Sequence, residues 1–460
     1  LASSLALLLA LLMTELLLPE FNALAGKELA LATFFGGAGG LALLAVVFVT
    51  GVLAGTYPAA VMTAFPPAEV LKGKLRLGGG SALTRVLVVV QFALSVTLGI
   101  SAVLLGRQVG FILNKDPGYA SRDLVVVLTQ ENEPRESERV YRRFRNEALR
   151  EGRVQGITAS GREFGLFLPR STFERGGREV RFAFDRVDPD FLPTMGLRLI
   201  EGRDFSSTAG ADRDAIVVNE RFVEALGPEF RLGELLGDPS RGFPYDRRVI
   251  GVVADCHFLP LRNRIEPLAL YVGELPSPRR NTFSRIMVRV RPEGRQGALA
   301  VLESAWKKVR PDKPFLATFQ EDALAGLYGP ERRWSAIVRY ASWLSLLLAC
   351  LGIFGLTAVA LGRREKEMGI RKVLGAGAGR IMVLATREFV LLISLANAIA
   401  WPAAYVVMRG VLAAYPYRIA ITVPTFVLAW AGSVLVAVLT ILSLAARVAF
   451  RNPVDSLRHE

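Results

Sequence analysis

Three stretches of this chain carry side chains of the kinds that do chemistry. Asp255-Cys256-His257 sets a carboxyl, a thiol and an imidazole in a row, the groups that hold a metal or activate a nucleophile. Neighbours on an extended strand point to opposite faces, so these three do not converge. No other histidine lies between 107 and 337, so a zinc site would need distant ligands, and the row reads as structural. The second stretch is the set of polar residues inside apolar runs: Glu15, Gln91 and Asn397, the last with Trp401 and Pro402 close by. A carboxylate in a span is a functional candidate by default, but Glu15 sits near a run's outer end, where it reaches the interface. Asn397 suits a hydrogen bond to a neighbouring helix, and Pro402 suits a kink. The third is a run of mixed charge at 364–376, where Glu365, Glu367, Arg371 and Lys372 accompany the helical stripe Ile370, Val373 and Leu374.

Nucleotide chemistry has no motif here. A phosphate-cradling loop needs G-x-x-x-x-G-K-[ST]. Gly26-Lys27 is followed by Glu28 and Gly73-Lys74 by Leu75, so neither qualifies, and hydrolysis of ATP by this chain itself is not expected. G-x-S-x-G, H-E-x-x-H and C-x-x-C are also missing, so no catalytic residue, metal or cofactor is assigned.

The elements that must carry these residues are mostly apolar. The 460 residues are 52% hydrophobic yet 21% charged, with a mean hydropathy of +0.36. The two properties are segregated along the chain, which excludes collagen-like, disordered and disulfide-rich classes and a single globular core. Six apolar runs, at 1–18, 34–55, 86–106, 340–361, 389–408 and 423–446, are long enough, or nearly so, to span a bilayer. Leu1 lies inside the first run with no charged region or cleavage pattern before it, and is read as the cut end of a longer protein. Cys256 and Cys350 fall in regions of opposite polarity and are not expected to pair.

Net charge is +14, but residues 107–337 hold 38 basic and 33 acidic residues, so most of the excess flanks the apolar runs. That pattern fits membrane orientation and lipid headgroups and gives no reason to expect nucleic acid. The arginines at 139–145 and 170–181 read as solvated faces. Short loops rich in Lys and Arg follow the second run (Lys72, Lys74, Arg76, Arg85) and the fourth (Arg363, Arg364, Lys366, Arg371, Lys372, Arg380), and the tail is also basic. These are expected on the cytoplasmic side. The loops at 19–33 and 409–422 are poor in basic residues and are expected outside, which also places 107–337 outside.

That region reads as mixed α/β. Strands are expected at 124–128, 156–159, 216–218, 249–253, 268–272, 286–290 and 315–319. Helices are expected at 138–150, with Tyr141, Phe144 and Ala148 on one face, and at 296–309, with Leu299, Leu302, Trp306 and Val309. Two strand–helix–strand units flank a strand-rich insertion, which suggests two lobes. The expected fold class is thus membrane α-helical with six spans, plus an extracytoplasmic two-lobed α/β (α+β) domain.

A short repeat adds organisation. Pro67-Ala68-Glu69-Val70-Leu71-Lys72 and Pro453-Val454-Asp455-Ser456-Leu457-Arg458 both read P-x-[DE]-x-L-[KR], each after two apolar runs. Residues 1–72 therefore read as the last two helices of a first unit, 73–85 as a cytoplasmic linker, 86–106 as a span, 107–337 as the outer domain, and 338–460 as three further spans with a cytoplasmic tail.

The segment Arg364-Glu365-Lys366-Glu367-Met368-Gly369-Ile370-Arg371-Lys372-Val373-Leu374-Gly375-Ala376, preceded by Ala349-Cys350-Leu351-Gly352-Ile353-Phe354-Gly355-Leu356, resembles the FtsX-like permease family, in its MacB-like branch. The outer region resembles that family's periplasmic core domain through Met195-Gly196-Leu197, Glu201-Gly202-Arg203-Asp204-Phe205, Val218-Asn219-Glu220 and Val249-Ile250-Gly251-Val252-Val253-Ala254-Asp255-Cys256-His257-Phe258. The resemblance implies a permease subunit in a bacterial inner membrane, driven by a separate ABC ATPase and moving substrate by export or extrusion. It implies that the 364–376 loop docks on the ATPase, through Glu367, Gly369, Arg371, Lys372 and Gly375. It further implies a homodimer, or a pseudo-dimer with a missing N-terminal half, and a periplasmic partner. The alternative within the same fold is a transmembrane signalling or scaffold protein that controls a periplasmic partner such as a cell-wall hydrolase. An ion-coupled secondary transporter would want charged groups at mid-membrane, for which Asn397 and Gln91 are thin support.

Overall fold

A computed structural model describes residues 2–35, 38–63, 82–175, 177–208, 210–236, 243, 246–275, 281–363 and 378–449. Element order is α1 (Ala2–Ala25), α2 (Leu31–Phe35), α3 (Ala38–Thr63), α4 (Ala82–Asn114), β1 (Leu124–Leu128), α5 (Pro134–Ala148), β2 (Val154–Ser160), β3 (Arg170–Arg175), β4 (Arg178–Arg186), α6 (Phe191–Met195), β5 (Leu199–Gly202), β6 (Ala215–Asn219), α7 (Glu220–Leu226), β7 (Arg248–Val253), β8 (Leu268–Tyr271), β9 (Arg285–Val290), α8 (Ala298–Val309), β10 (Ala317–Phe319), α9 (Gln320–Leu327), α10 (Gly329–Arg363), α11 (Ala378–Ala413) and α12 (Val423–Ala449). The chain divides into two compact units. One comprises 1–109, 330–412 and 419–460; the other comprises 110–329 and 413–418.

The first unit is helical. Among the described residues five helices are long and apolar enough to cross a membrane: Ser4–Ala25, Arg85–Asn114, Gly329–Ala358, Thr386–Ala413 and Val423–Leu444. The second expected span lies in α3, whose described apolar portion, Gly39–Val52, is shorter. Large side chains such as Leu5, Leu8, Leu41, Phe48, Trp343 and Leu439 stand exposed on these helices, as hydrocarbon solvation requires. The helices α4, α10, α11 and α12 share one core through Phe92, Val96, Ile100, Ile353, Ile393, Met408, Phe426 and Ile441. On α11 the buried Ala396, Ala400 and Ala404 recur every four residues, a small-residue seam that admits close helix approach.

Helices α4 and α10 run antiparallel along a seam of small and polar residues. The Ser95 and Ser345 hydroxyls are 2.6 Å apart. A methyl group on Gly99 would lie 3.5 Å from Ser342 Oγ, on Gly106 3.8 Å from Ser335 Oγ, and on Gly352 2.9 Å from Gln91 Oε1. Rising positions on α4 meet falling positions on α10, which fixes the antiparallel sense. At 33 and 35 residues these helices are each about 50 Å long, well beyond the roughly 30 Å of a hydrocarbon core.

The second unit is built on two sheets. The first, in the order β10-β1-β9-β2, is antiparallel throughout. Both strand–helix–strand units expected from the sequence contribute to it, with Val126 opposite Met287 and Ile157 opposite Val288. The insertion forms the second sheet, β3-β4-β8-β6-β7-β5, mixed because β4 pairs β8 and β6 pairs β7 in parallel.

Strand alternation explains the layering. On β1, Leu124 and Val126 enter a core shared by both sheets, while Val125 and Val127 face α5 and α8. On β4, Ala183 enters the shared core, while Phe182 and Phe184 pack with Phe222 of α7 on the far face. The helices are amphipathic: Val140, Tyr141, Phe144 and Ala148 of α5 are buried, as are Leu302 and Trp306 of α8, whereas Leu299, expected on the same face, is exposed. The rings of Phe144 and Trp306 meet edge to face at 5.7 Å.

Candidate functional site: the charged 364–376 segment and the motif residues of the sheet-rich unit

The residues singled out for partner docking, Glu367, Gly369, Arg371, Lys372 and Gly375, lie outside the described residues, within 364–377. The flanks are described. Helix α10 ends at Arg363 and α11 begins at Ala378, so the segment joins two helices of 35 and 36 residues. Near the same end, Arg85 of α4 pairs with Glu388 of α11 at 2.8 Å. Both side chains are about half exposed, so the pair adds well under about 1 kcal/mol and mainly fixes register.

The buried polar residues of the helical unit, among those described, are uncharged: Ser95, Ser101, Gln108, Ser335, Thr357, Asn397, Thr425 and Ser433. Several of them tie helix to helix, while Ser101 Oγ donates to Thr97 O on its own helix. Asn397 Nδ2 donates to Ser433 Oγ at 3.1 Å, joining α11 to α12. Gln108 Oε1 accepts from Ile419 N at 2.9 Å, and Arg107 Nη1 donates to Thr425 Oγ1 at 3.1 Å. Asn397 therefore takes the packing role expected of it, and Glu15 is exposed on α1.

In the sheet-rich unit the motif residues form a latch. Asn219 caps α7, its Oδ1 accepting from Phe222 N at 3.1 Å and from Leu268 N at 2.8 Å. Its Nδ2 donates to Asp255 Oδ1 at 3.0 Å and to Glu266 O at 3.0 Å. Asp255 also accepts from Arg221 N at 3.0 Å, and Glu220 Oε2 accepts from Asp255 N at 2.9 Å. Thus Val218-Asn219-Glu220 and Asp255 fasten the end of β6 to the ends of β7 and β8.

Cys256 is buried in the shared core, and burial, with the Asp255 carboxylate adding to it, pushes its thiol up to about 12. Burial, with the Lys115 ammonium adding to it, lowers His257 to about 4. A protonated thiol and a neutral, buried imidazole do not make an activated pair. Among the described residues no three metal-ligating side chains cluster.

Two motif glycines answer to geometry. Gly196 ends α6 in the left-handed region at φ 66°. Gly202 sits at φ 81°, and a Cβ there would lie 2.3 Å from Ile250 O. Beside it Arg203 holds Asp212 through two bonds of 2.9 and 2.6 Å.

One segment escaped sequence reasoning. Residues 413–418, expected only as a loop poor in basic residues, belong to the sheet-rich unit. Tyr415-Pro416-Tyr417, two aromatics in a short loop between apolar helices, was the available signal.

These features define a multi-pass membrane protein with a large sheet-rich unit inserted between two of its helices. Residues 340–453 match the FtsX-like permease C-terminal family. The FtsX-like, MacB-like permease recognised in the sequence is the family these comparisons return. The macrolide export ATP-binding/permease protein MacB of Chromobacterium violaceum is 26% identical over 281 residues, covering 60% of this chain and 43% of the relative. The chain thus spans less than half the length of that relative. The periplasmic region of MacB from Actinobacillus actinomycetemcomitans is 14% identical, with a TM-score of 0.32, covering 47% of this chain and 97% of that one. The extracellular domain of the noncanonic ABC-type transporter YknZ from Gram-positive bacteria is 11% identical, with a TM-score of 0.30, covering 42% of this chain and 98% of that one.

Proposed function

We propose that this chain is the permease subunit of an ABC-type transporter, coupling ATP hydrolysis by a separate ATPase to movement of its sheet-rich domain for export or extrusion of a substrate. The observation that carries this reading is the FtsX-like permease match over 340–453, which encloses the charged segment at 364–376. On this reading the segment lies on the cytoplasmic side and docks on the ATPase through Glu367, Gly369, Arg371, Lys372 and Gly375, with Gly375 suiting the stop of a short helix. The sheet-rich domain at 107–337 lies in the periplasm of a cell whose inner membrane holds the spans, and a periplasmic partner or second permease half meets it there.

Two structural features support a mechanical rather than pore-forming role. The buried polar residues described in the bundle are neutral, and the helices that enter and leave the sheet-rich unit, α4 and α10, are packed along a small-residue seam. Motion of either helix therefore reaches the outer domain directly.

The test is affinity purification of the full-length protein from its native membrane in mild detergent, followed by mass spectrometry. Co-purification of a P-loop ATPase, lost on substituting 364–376, is the expected result. Intact complexes that contain no ATPase would overturn the reading.

A further inference from the structure

The sheet-rich unit is connected to the helical unit at four points in the chain, not two. It is entered after Val109 and left at Gly329 through α4 and α10, and it also takes in 413–418, between α11 and α12. That short segment has its own set of contacts. Tyr415 packs against a small core of Ile112, Leu261 and Tyr328, with Leu113 and Leu327 beside it. The Tyr328 hydroxyl accepts from Leu261 N at 2.7 Å, which holds the 256–261 loop against the same core. Two residues on, the Tyr417 ring meets His257 edge to face at 4.9 Å and carries the Lys115 ammonium 4.5 Å from its centroid. His257 is itself fixed, its backbone N donating to Pro117 O at 2.7 Å.

We infer that Tyr415-Pro416-Tyr417 is an intramolecular strap that holds the 413–418 segment against 112–117 and 256–261 within the sheet-rich unit. A loop that merely joined two helices would keep its aromatic rings free of such partners. This one places Tyr415 against Ile112 at the end of α4 and Leu261, and Tyr417 against Lys115 just after α4 and His257 in the loop that follows β7. The three chain segments therefore form one small joint: 112–117, 256–261 and 415–417.

Helix α11 ends at Ala413, where the strap begins. The strap does not rest on the permease reading above, and it is tested without any ATPase.

The test is hydrogen–deuterium exchange on the full-length protein in lipid nanodiscs. The parent should protect the amides of 413–418, His257 and Leu261. Tyr417→Ala should raise exchange roughly tenfold at 413–422 and 256–258, because it removes the ring pair and the cation contact together. Tyr415→Ala should do the same at 413–422 and Leu261. The strands β1 and β9 should be unchanged in every variant. If Tyr417→Ala does not insert, Lys115→Ala removes the cation alone and should raise exchange at 413–422 more modestly. Exchange of 413–418 in the parent at the rate of an unstructured peptide would overturn the strap. So would Tyr417→Ala or Lys115→Ala variants whose exchange equals the parent's.

Discussion

Asn219 Nδ2 donates to Asp255 Oδ1 at 3.0 Å, across 36 residues of sequence. The amide is fully buried and all four of its hydrogen-bonding positions are used, two donors and two acceptor lone pairs. Asn219→Ala leaves Phe222 N, Leu268 N and Glu266 O without that partner inside the protein. The expected cost is about 2–4 kcal/mol, read as a lowered Tm of the full-length protein in detergent. Asn219→Asp keeps the acceptors but sets a second carboxylate against Asp255. It should be less stable than the parent at pH 8 and recover partly at pH 5. A Tm unchanged by either substitution would remove the latch.

Asp185 gives a pH signature. Its carboxyl is buried, and burial pushes it up to about 7 despite the Arg162 N–H that donates to it at 3.1 Å. The folded pKa exceeds the unfolded one, so the folded state holds this proton more tightly. The contribution is present below about pH 4 and is lost as pH rises toward neutrality. Asp185→Asn removes the loss, so above pH 7 the variant should exceed the parent in stability by on the order of 1–3 kcal/mol. Asp188, Asp204 and Asp255 are raised in the same direction and His257 is lowered, so the quantity to plot is the Tm difference between variant and parent from pH 4.5 to 8. A difference that does not vary with pH would contradict the burial argument.

Periodicity made most of the local elements legible. The run Leu124–Leu128 is β-branched enough to read as a strand, and Tyr141, Phe144 and Ala148 mark the buried face of α5. The β3–β4 hairpin was hidden because Arg170, Arg175, Arg178 and Arg181 read as a solvated charge cluster. Beneath them Val180, Phe182 and Phe184 alternate toward a buried core, a period-two signal that the arginines obscured. Pairing was not legible at all. Nothing local says that β9 lies between β1 and β2, or that Asn219 and Asp255 meet, since these contacts close loops of tens to more than a hundred residues. The strap was missed for the same reason: Tyr415 and Tyr417 acquire meaning only from Ile112, Lys115 and His257, some three hundred and a hundred and sixty residues away in sequence.

The α4–α10 seam is tested by a double-mutant cycle at Gln91 and Gly352. A Cβ on Gly352 would lie 2.9 Å from Gln91 Oε1, the far end of a flexible side chain that can turn aside. Gly352→Ala should therefore cost less than about 1 kcal/mol, whereas Gly352→Leu overpacks the seam and should cost about 1–3 kcal/mol. Gln91→Ala should recover part of the Leu penalty, a positive coupling energy between residues 261 positions apart. Additive penalties, measured as detergent Tm, would mean that the two side chains do not meet.

The docking proposed for 364–376 calls for a functional readout. Glu367→Lys reverses one charge among Glu365, Glu367, Arg371 and Lys372, so it should weaken docking without touching the spans. Gly369→Pro removes a backbone donor and fixes φ inside the expected short helix, at a cost of about 3 kcal/mol to that helix alone. Either variant should insert normally and keep the Tm of the parent, because the bundle core through Phe92, Ile353 and Ile441 is unaltered. The co-purifying ATPase should then hydrolyse ATP at its basal rate but lose its response to the permease, by roughly tenfold if docking costs one charge-assisted contact. Arg371→Glu in the Glu367→Lys background should not rescue if each residue meets the partner, and should rescue if the two merely pair with each other in a surface loop. Retained coupling in both single variants, with normal insertion, would move the docking site to the repeated P-x-[DE]-x-L-[KR] ends instead.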